Sequence, residues 1–233
     1  KYKKQGKKIS YTFPKMELMI PNPKIALLLQ NLEENGKYEI LEQVDYIYLP
    51  FYYFLKENYF EAIRKLSEKA QLYIYLPSII RKNYHQLLDL KIKNILSTFQ
   101  ITGIVLQNLG DIFLLRAMKI PLENYEIVAN DTLNVFQNET LNELRKIGFN
   151  RITASTEINK EDLLRLNPSH LEVIVYGRTP LMTTQYCFMG KTNCCSSCSS
   201  RFCRNKQYFL KDRLSYTFPI KPDTIETVTT IYN

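Results

Sequence analysis

The chain has 233 residues, of which 45% are hydrophobic and 23% charged, the balance of one globular domain with an ordinary core and not of a disordered segment. No run approaches the roughly 20 apolar residues that a membrane-crossing helix needs, and Lys1-Tyr2-Lys3-Lys4 lacks the apolar stretch of a secretory signal. The expectation is a cytoplasmic protein with no membrane partner. A formal net charge of +8 permits an acidic partner such as RNA, through release of phosphate counterions, although several of the charges fall within Lys1 to Lys8; nothing points to DNA. The first residue is not Met, and residues 1–15 read as a basic linker, so further domains of a longer chain are expected.

From residue 16 the chain alternates short apolar runs with amphipathic stretches, the βα pattern of a parallel sheet. Strands are expected at Met16 to Ile20, Tyr46 to Leu49, Leu72 to Leu76, Gly103 to Leu106, Tyr125 to Ala129, Arg151 to Ala154 and Leu171 to Tyr176. Helices are expected at Pro23 to Glu34, Leu55 to Ala70, Gln86 to Thr98, Gly110 to Met118, Glu139 to Ile147 and Lys160 to Leu166, most with apolar residues three or four apart. Pro50 and Pro77 follow strands, and Gly36 and Gly148 follow helices, where the alternation needs breakers. Seven strands at this spacing predict an α/β fold, a TIM-type (β/α) barrel over residues 16–180, complete or short of a strand. A cysteine-rich tail over 181–233 is expected to pack on it. A doubly wound open sheet gives the same local pattern. The seventeen tyrosines lie mostly in strand-like runs such as Tyr46-Ile47-Tyr48 and Tyr73-Ile74-Tyr75, where core packing explains them better than base stacking.

In a βα barrel the chemistry sits at the carboxyl ends of the strands, so the polar residues just past each strand are the site candidates. These are Gln107 and Asn108 after the fourth strand, Asn130, Asp131 and Asn134 after the fifth, Ser155 and Glu157 after the sixth, and Arg178 after the seventh. Asp131, Glu157 and Arg178 are the catalytic candidates; Asn108, Asn130 and Asn134 are the substrate-binding ones. Asn, Asp and Ser at such positions also cap helices, and that plain role competes for Asn130, Asp131 and Ser155. Arg178 stands between an apolar strand and Pro180, where it caps nothing, and an anionic partner suits it.

All five cysteines fall between 187 and 203, at Cys187, Cys194, Cys195, Cys198 and Cys203. Thiols this dense in a reducing compartment ligate a metal or cluster more often than they form disulfides. Cys195 and Cys198 have the CxxC spacing that brings both sulfurs to one ion or cluster. Four ligands suffice, and the adjacent Cys194 and Cys195 point different ways, so the expected set is Cys187, Cys195, Cys198 and Cys203. A radical adenosylmethionine enzyme would want CxxxCxxC, but position 201 is Arg; a zinc ribbon would want a second CxxC pair, although zinc with irregular spacing stays open. Neither His85 nor His170 has a nucleophile in an equally placed loop, and no Walker loop or GxGxxG is present. Only eight residues separate Arg178 from Cys187, a reach of about 30 Å at full extension, so the cysteines are expected at or beside the carboxyl-end face of the barrel. A structural knot pinning the tail to the barrel side is the competing reading.

The run Leu171-Glu172-Val173-Ile174-Val175-Tyr176-Gly177-Arg178, then Pro180-Leu181-Met182, Tyr186-Cys187, the CxxC, Tyr208-Phe209-Leu210-Lys211-Asp212-Arg213 and Phe218-Pro219 resembles the collagenase-like peptidase family of unassigned catalytic type, number thirty-two. Weaker echoes, Asn108-Leu109-Gly110, Asn134-Val135-Phe136 and Ser155-Thr156-Glu157, extend the likeness over roughly residues 16 to 233. The resemblance implies a barrel and a cysteine-ligated iron–sulfur cluster, 4Fe-4S, with zinc as the alternative. It also implies hydroxylation of an RNA base or related ring, with peptidase action or a non-catalytic RNA-binding accessory role as alternatives. One departure stands out: the family's fourth cysteine is expected after Phe218-Pro219, and residues 204–233 contain none.

Overall fold

The computed structural model describes residues 23–32, 43–186 and 208–233. Seven strands form one parallel sheet: β1 (Ala26–Leu28), β2 (Tyr46–Pro50), β3 (Gln71–Tyr75), β4 (Gly103–Leu106), β5 (Glu126–Ala129), β6 (Arg151–Thr153) and β7 (Leu171–Glu172). Between them run α1 (Phe60–Lys69), α2 (Lys82–Thr98), α3 (Leu109–Ala117), α4 (Asn138–Ile147) and the single turn α5 (Lys160–Leu163). The strand order is β1-β2-β3-β4-β5-β6-β7, each pairing parallel to the next in the chain. A doubly wound sheet must reverse its order once. This sheet never does, which removes that alternative and leaves singly wound, barrel-type topology.

Both faces of the sheet are covered, as a parallel sheet requires. Ile47, Leu49, Leu72, Ile74, Ile104, Leu106, Ile127 and Ile152 point outward into the layer under the helices, where α2 contributes Leu88, Ile92 and Ile95 at helical spacing. Each such side chain, fully buried, is worth about 1.5–3 kcal/mol of transfer free energy. The alternate positions Tyr46, Tyr48, Tyr73, Val105 and Val128 form a second, inner cluster. Tyr73 meets Tyr46 and Tyr48 edge to face at centroid separations of 5.7 and 5.3 Å. Its ring lies against Gly103, where an added Cβ would come within 2.5 Å of Tyr73 Cε1 and 2.2 Å of the Glu126 carbonyl oxygen. A glycine is the only residue this approach accepts.

Charge finishes the interior. Arg151 at the start of β6 stacks over Tyr46 at 3.8 Å and Tyr73 at 4.9 Å from the ring centroids. Its Nε lies 3.1 Å from Glu172 Oε1 and its Nη1 3.6 Å from Glu126 Oε2. Both nitrogens are buried and meet the carboxylates without hydrogen-bond angles, so these are charge contacts; Nη2 donates to Tyr48 Oη at 3.2 Å. Tyr48 in turn donates to Glu172 at 2.5 Å, joining β2 to β7 across the inner face. The sheet is therefore curled into an open barrel, with no pairing between β1 and β7 among the described residues.

Two expected elements differ, and one falls beyond the described residues. The strand expected at Met16 to Ile20 lies outside the described residues. Within the helix expected at Pro23 to Glu34, Ala26–Leu28 is instead a strand, because the free edge of β2 offers it hydrogen bonds, including Leu29 N to Tyr48 O at 2.9 Å; pairing overrides a marginal helix preference. The last strand ends at Glu172, since Val173–Tyr176 leave the sheet, Val175 and Tyr176 being 91% and 97% exposed.

The tail builds a second, antiparallel sheet in the order β8-β11-β10-β9, from β8 (Pro180–Thr184), β9 (Tyr208–Lys211), β10 (Thr217–Asp223) and β11 (Val228–Tyr232). It is fastened over the carboxyl ends of β1 and β3. Lys221 Nζ donates to Gln30 O at 3.1 Å beyond β1, while Asn83 Nδ2 donates to Ile225 O at 2.7 Å and Tyr84 Oη to Asp223 Oδ2 at 2.6 Å beyond β3.

Candidate active site at the barrel mouth

The carboxyl ends of β3, β4 and β5 bring together Tyr75, Gln107 and Asn130. The last two are buried polar residues, at 2% and 7% exposure, which is informative because interiors rarely hold amides without a use for them. Asn130 Nδ2 donates to Gln107 Oε1 at 2.9 Å and to Asp131 Oδ1 at 2.5 Å. Thr132 Oγ1 donates to Gln107 O at 2.6 Å, locking the β4 and β5 loops together. Burial lifts the Asp131 carboxyl above its ordinary value, against hydrogen bonds from its own amide, Thr132 and Asn130 that pull it down. Burial likewise raises the Tyr75 hydroxyl; the Gln107 and Asn130 amides oppose the rise, and Asp131 and Tyr232 add to it. Tyr232, on β11 of the second sheet, is itself raised by burial. The mouth thus combines two amides, two phenols and a carboxyl that holds its proton to higher pH than usual. Such a set can grip a flat polar ring and move a proton; among the described residues it holds no paired nucleophile and base.

The other predicted residues fall in different places. Asn108 is exposed, its Nδ2 donating to Ser78 O at 2.9 Å, and it stands as the N-cap of α3, where Asp111 accepts from its amide at 3.0 Å. Asn134 sits in the left-handed region at φ 52° and accepts from Ser155 Oγ at 3.4 Å. Glu157 is exposed, its amide donating to Ser155 Oγ at 3.3 Å. Arg178 is exposed and donates from Nη1 to Asn233 O at 2.7 Å, which holds it beside the end of the strand that carries Tyr232. Among the described residues no hydrogen bond or ion pair joins Arg178 to Glu157 or Asp131. His170 lies at the opposite end of the barrel, lining a cleft of about 430 Å³ with Tyr46, Arg145 and Arg151.

Sequence reasoning missed Tyr75 and Tyr232. Tyr75 closes a run of apolar strand residues and reads as core; Tyr232 comes from a sheet that the reading of the tail did not anticipate. A signal existed in the β-branched run Val228 to Ile231 shortly after the turn residues Asp223-Thr224, which mark a hairpin with the stretch before them.

The expected ligands Cys187, Cys195, Cys198 and Cys203 lie outside the described residues, and among those described no group of three or more His, Cys, Asp or Glu is placed to hold a metal ion. The attachment of the segment is visible: it leaves β8 and returns in β9, the two outer strands of the second sheet. A set of thiolates within 17 residues of chain has the donor chemistry that iron–sulfur clusters and zinc take.

A family model, Peptidase family U32, matches residues 52–218, from the turn after β2 to β10. The chain belongs to peptidase family U32. The match spans Tyr75, Gln107, Asn130 and Asp131 of the mouth, strands β3 to β7, and both attachment strands of the cysteine segment, β8 and β9. No curated protein matches the chain. No helix among the described residues is long and apolar enough to cross a membrane.

Proposed function

We propose that this U32 chain is an oxidative enzyme domain in which the cysteine segment holds an iron–sulfur cluster beside the barrel mouth, and the mouth receives a planar ring such as an RNA base. The observation that supports this most is where the cysteine segment is attached: β8, which ends three residues before Cys187, pairs there through Thr184 with Thr229 of β11, and Gln185 just past it faces Arg81 at the start of α2, beyond β3. Three residues span at most about 11 Å, so in this reading the cysteine segment starts near the carboxyl end of β3. Amides such as Gln107 and Asn130 read the donor and acceptor edges of nucleobases, and tyrosine faces stack on them. In this reading Asp131 handles protons, with Glu157 at the rim, Arg178 holds an anionic group, and Asn108 and Asn134 shape the loops.

Anaerobic purification tests it. Visible thiolate-to-iron absorption with stoichiometric iron and sulfide, lost together on replacing Cys195 and Cys198 by Ser, is the expected result. A colourless protein with stoichiometric zinc overturns it. The family name favours a second reading, cleavage of collagen-like peptides. At the mouth, however, Ser155 Oγ contacts Asn134 and the Glu157 amide, and His170 lies at the opposite end of the barrel. Gelatin cleavage abolished by a single mouth substitution would establish that reading instead. Without metal or cleavage, binding of tRNA or rRNA with a steep salt dependence would mark an accessory domain.

A further inference from the structure

Helix α2 begins at the strand-end face without a cap of its own. Arg81 at the N-cap supplies no side-chain hydrogen bond, and the first turn contains no acidic residue. The missing acceptor comes from the far end of the chain: Glu226, 6% exposed, accepts from Arg81 N at 3.1 Å and from Tyr84 N at 2.7 Å. Glu226 lies in the turn joining β10 to β11. The turn is shaped for the purpose, with Asp223 Oδ1 accepting from Ile225 N at 2.8 Å and Glu226 N at 3.3 Å, and with Thr227 at φ 56° turning the chain back into β11. Asn83 and Tyr84 add the two further bonds already described. Gln185, just past β8, turned so that its amide oxygen faces Arg81, accepts from that guanidinium.

Five contacts thus converge on one helix end, and a carboxylate there gains from both the first-turn amides and the helix dipole. The same hairpin is bonded to the loops beyond β1 and β3, and at that carboxyl-end face Gln107 and Asn130 are buried. A ligand reaches those amides only if part of the mouth moves. Two surface clefts lie at the amino ends of the strands, one around Arg151 and the other around Asp45, Gln71 and Thr102.

We propose that the β10–β11 hairpin is a lid over the barrel mouth, latched by Glu226 on the first turn of α2, and that its release uncovers Tyr75, Gln107 and Asn130. The lid is one-sided. Its contacts are to the loops after β1 and β3, so it hinges away from that side while Arg151, Glu172 and the inner tyrosines stay packed. Because the latch involves neither the cysteines nor RNA, it stands or falls independently of the proposed chemistry.

The test uses the full chain with Glu226→Ala and Glu226→Gln, the second keeping the shape and an acceptor but not the charge. Amide hydrogen exchange is read at Arg81 and Tyr84, and tyrosine nitration is mapped by peptide mass at Tyr75 and Tyr73. Opening should speed exchange at the two amides at least about tenfold in the alanine variant and less in the glutamine one. Tyr75 should become nitrated in the same order, with Tyr73, inside the barrel, remaining protected. Faster exchange with Tyr75 still protected would show that the hairpin caps the helix but does not cover the mouth. Tyr73 and Tyr75 becoming reactive together would show that Glu226 holds the whole fold and no separate lid exists. Unchanged exchange in both variants would remove the latch.

Discussion

Replacing Arg151 by Met isolates what the charged interior contributes. The guanidinium is nearly buried, with its side chain 11% exposed, and faces Glu172, whose side chain is 17% exposed. Removing one partner of a buried pair leaves the other charge uncompensated, a loss of about 3–5 kcal/mol. The two tyrosine faces under the guanidinium add about 1 kcal/mol each at most, partly recovered by the methionine side chain. Glu172 keeps its hydrogen bonds from Tyr48 and Thr153, which reduces the penalty. The expected net loss is about 4 kcal/mol, measured as the shift in urea-unfolding free energy at neutral pH. The double variant Arg151→Met with Glu172→Gln should recover at least half of it, because the orphaned charge is gone. A single-variant loss below about 1 kcal/mol, or a double variant no better than the single, would refute the reasoning and mean that Glu172 reaches water without Arg151.

Asp111→Ala removes the acceptor for the Gln107 and Asn108 amides, at 3.1 and 3.0 Å, and should cost about 2 kcal/mol in thermal or urea unfolding, the sum of a lost cap and a buried unpaired N–H. Gly103→Ala should cost about 3 kcal/mol or prevent folding, since the methyl group meets backbone as well as the Tyr73 ring; circular dichroism and urea unfolding read it. Asp131 has a carboxyl raised above the ordinary 3.8, so its contribution favours the fold at pH below 3.8 and is lost as pH rises through the raised value. Asp131→Asn should therefore gain stability relative to the parent as pH is raised across that interval, and a constant difference between the two would contradict it. Lys221, nearly enclosed between Gln30 and Asp223, is pushed down to about 8 by burial, so docking of the second sheet tightens from about pH 8 upward, and Lys221→Met should abolish that rise in unfolding free energy.

The barrel was legible because its strands are short apolar runs between breakers, and six of the seven lie where the pattern puts them. Sequence order could not tell a barrel from a doubly wound sheet, since local alternation is the same in both. What separates them is strand order, and its cause is partly visible afterwards. Gly103 lets Tyr73 lean into the interior, and Arg151 with Glu172 supplies charges that only a curled sheet brings to Tyr48. Such pairs lie 103 and 124 residues apart, beyond any reading by periodicity. Ala26–Leu28, expected within a helix, is a strand because three apolar residues carry no period and their state is decided by the edge they pair with.

The site was legible by rule more than by residue. The rule that polar groups past the strand ends form the mouth led to Asn130 and Asp131, and to Gln107 as a polar neighbour, and these are joined by hydrogen bonds. The same rule swept in Asn108, which serves as a cap, and Asn134, which serves a left-handed turn, because Asn suits all three tasks equally well. Arg178 illustrates the opposite limit. Placing it on the mouth assumed that the strand ran to Tyr176, whereas the sheet ends at Glu172 and the arginine is carried away to Asn233 at the end of β11. It stays relevant because that strand also carries Tyr232, so the second sheet, not the seventh barrel strand, decides where the positive charge stands. Because Arg178 is bonded to Asn233 at the end of β11, opening of the β10–β11 hairpin carries Arg178 and Tyr232 together.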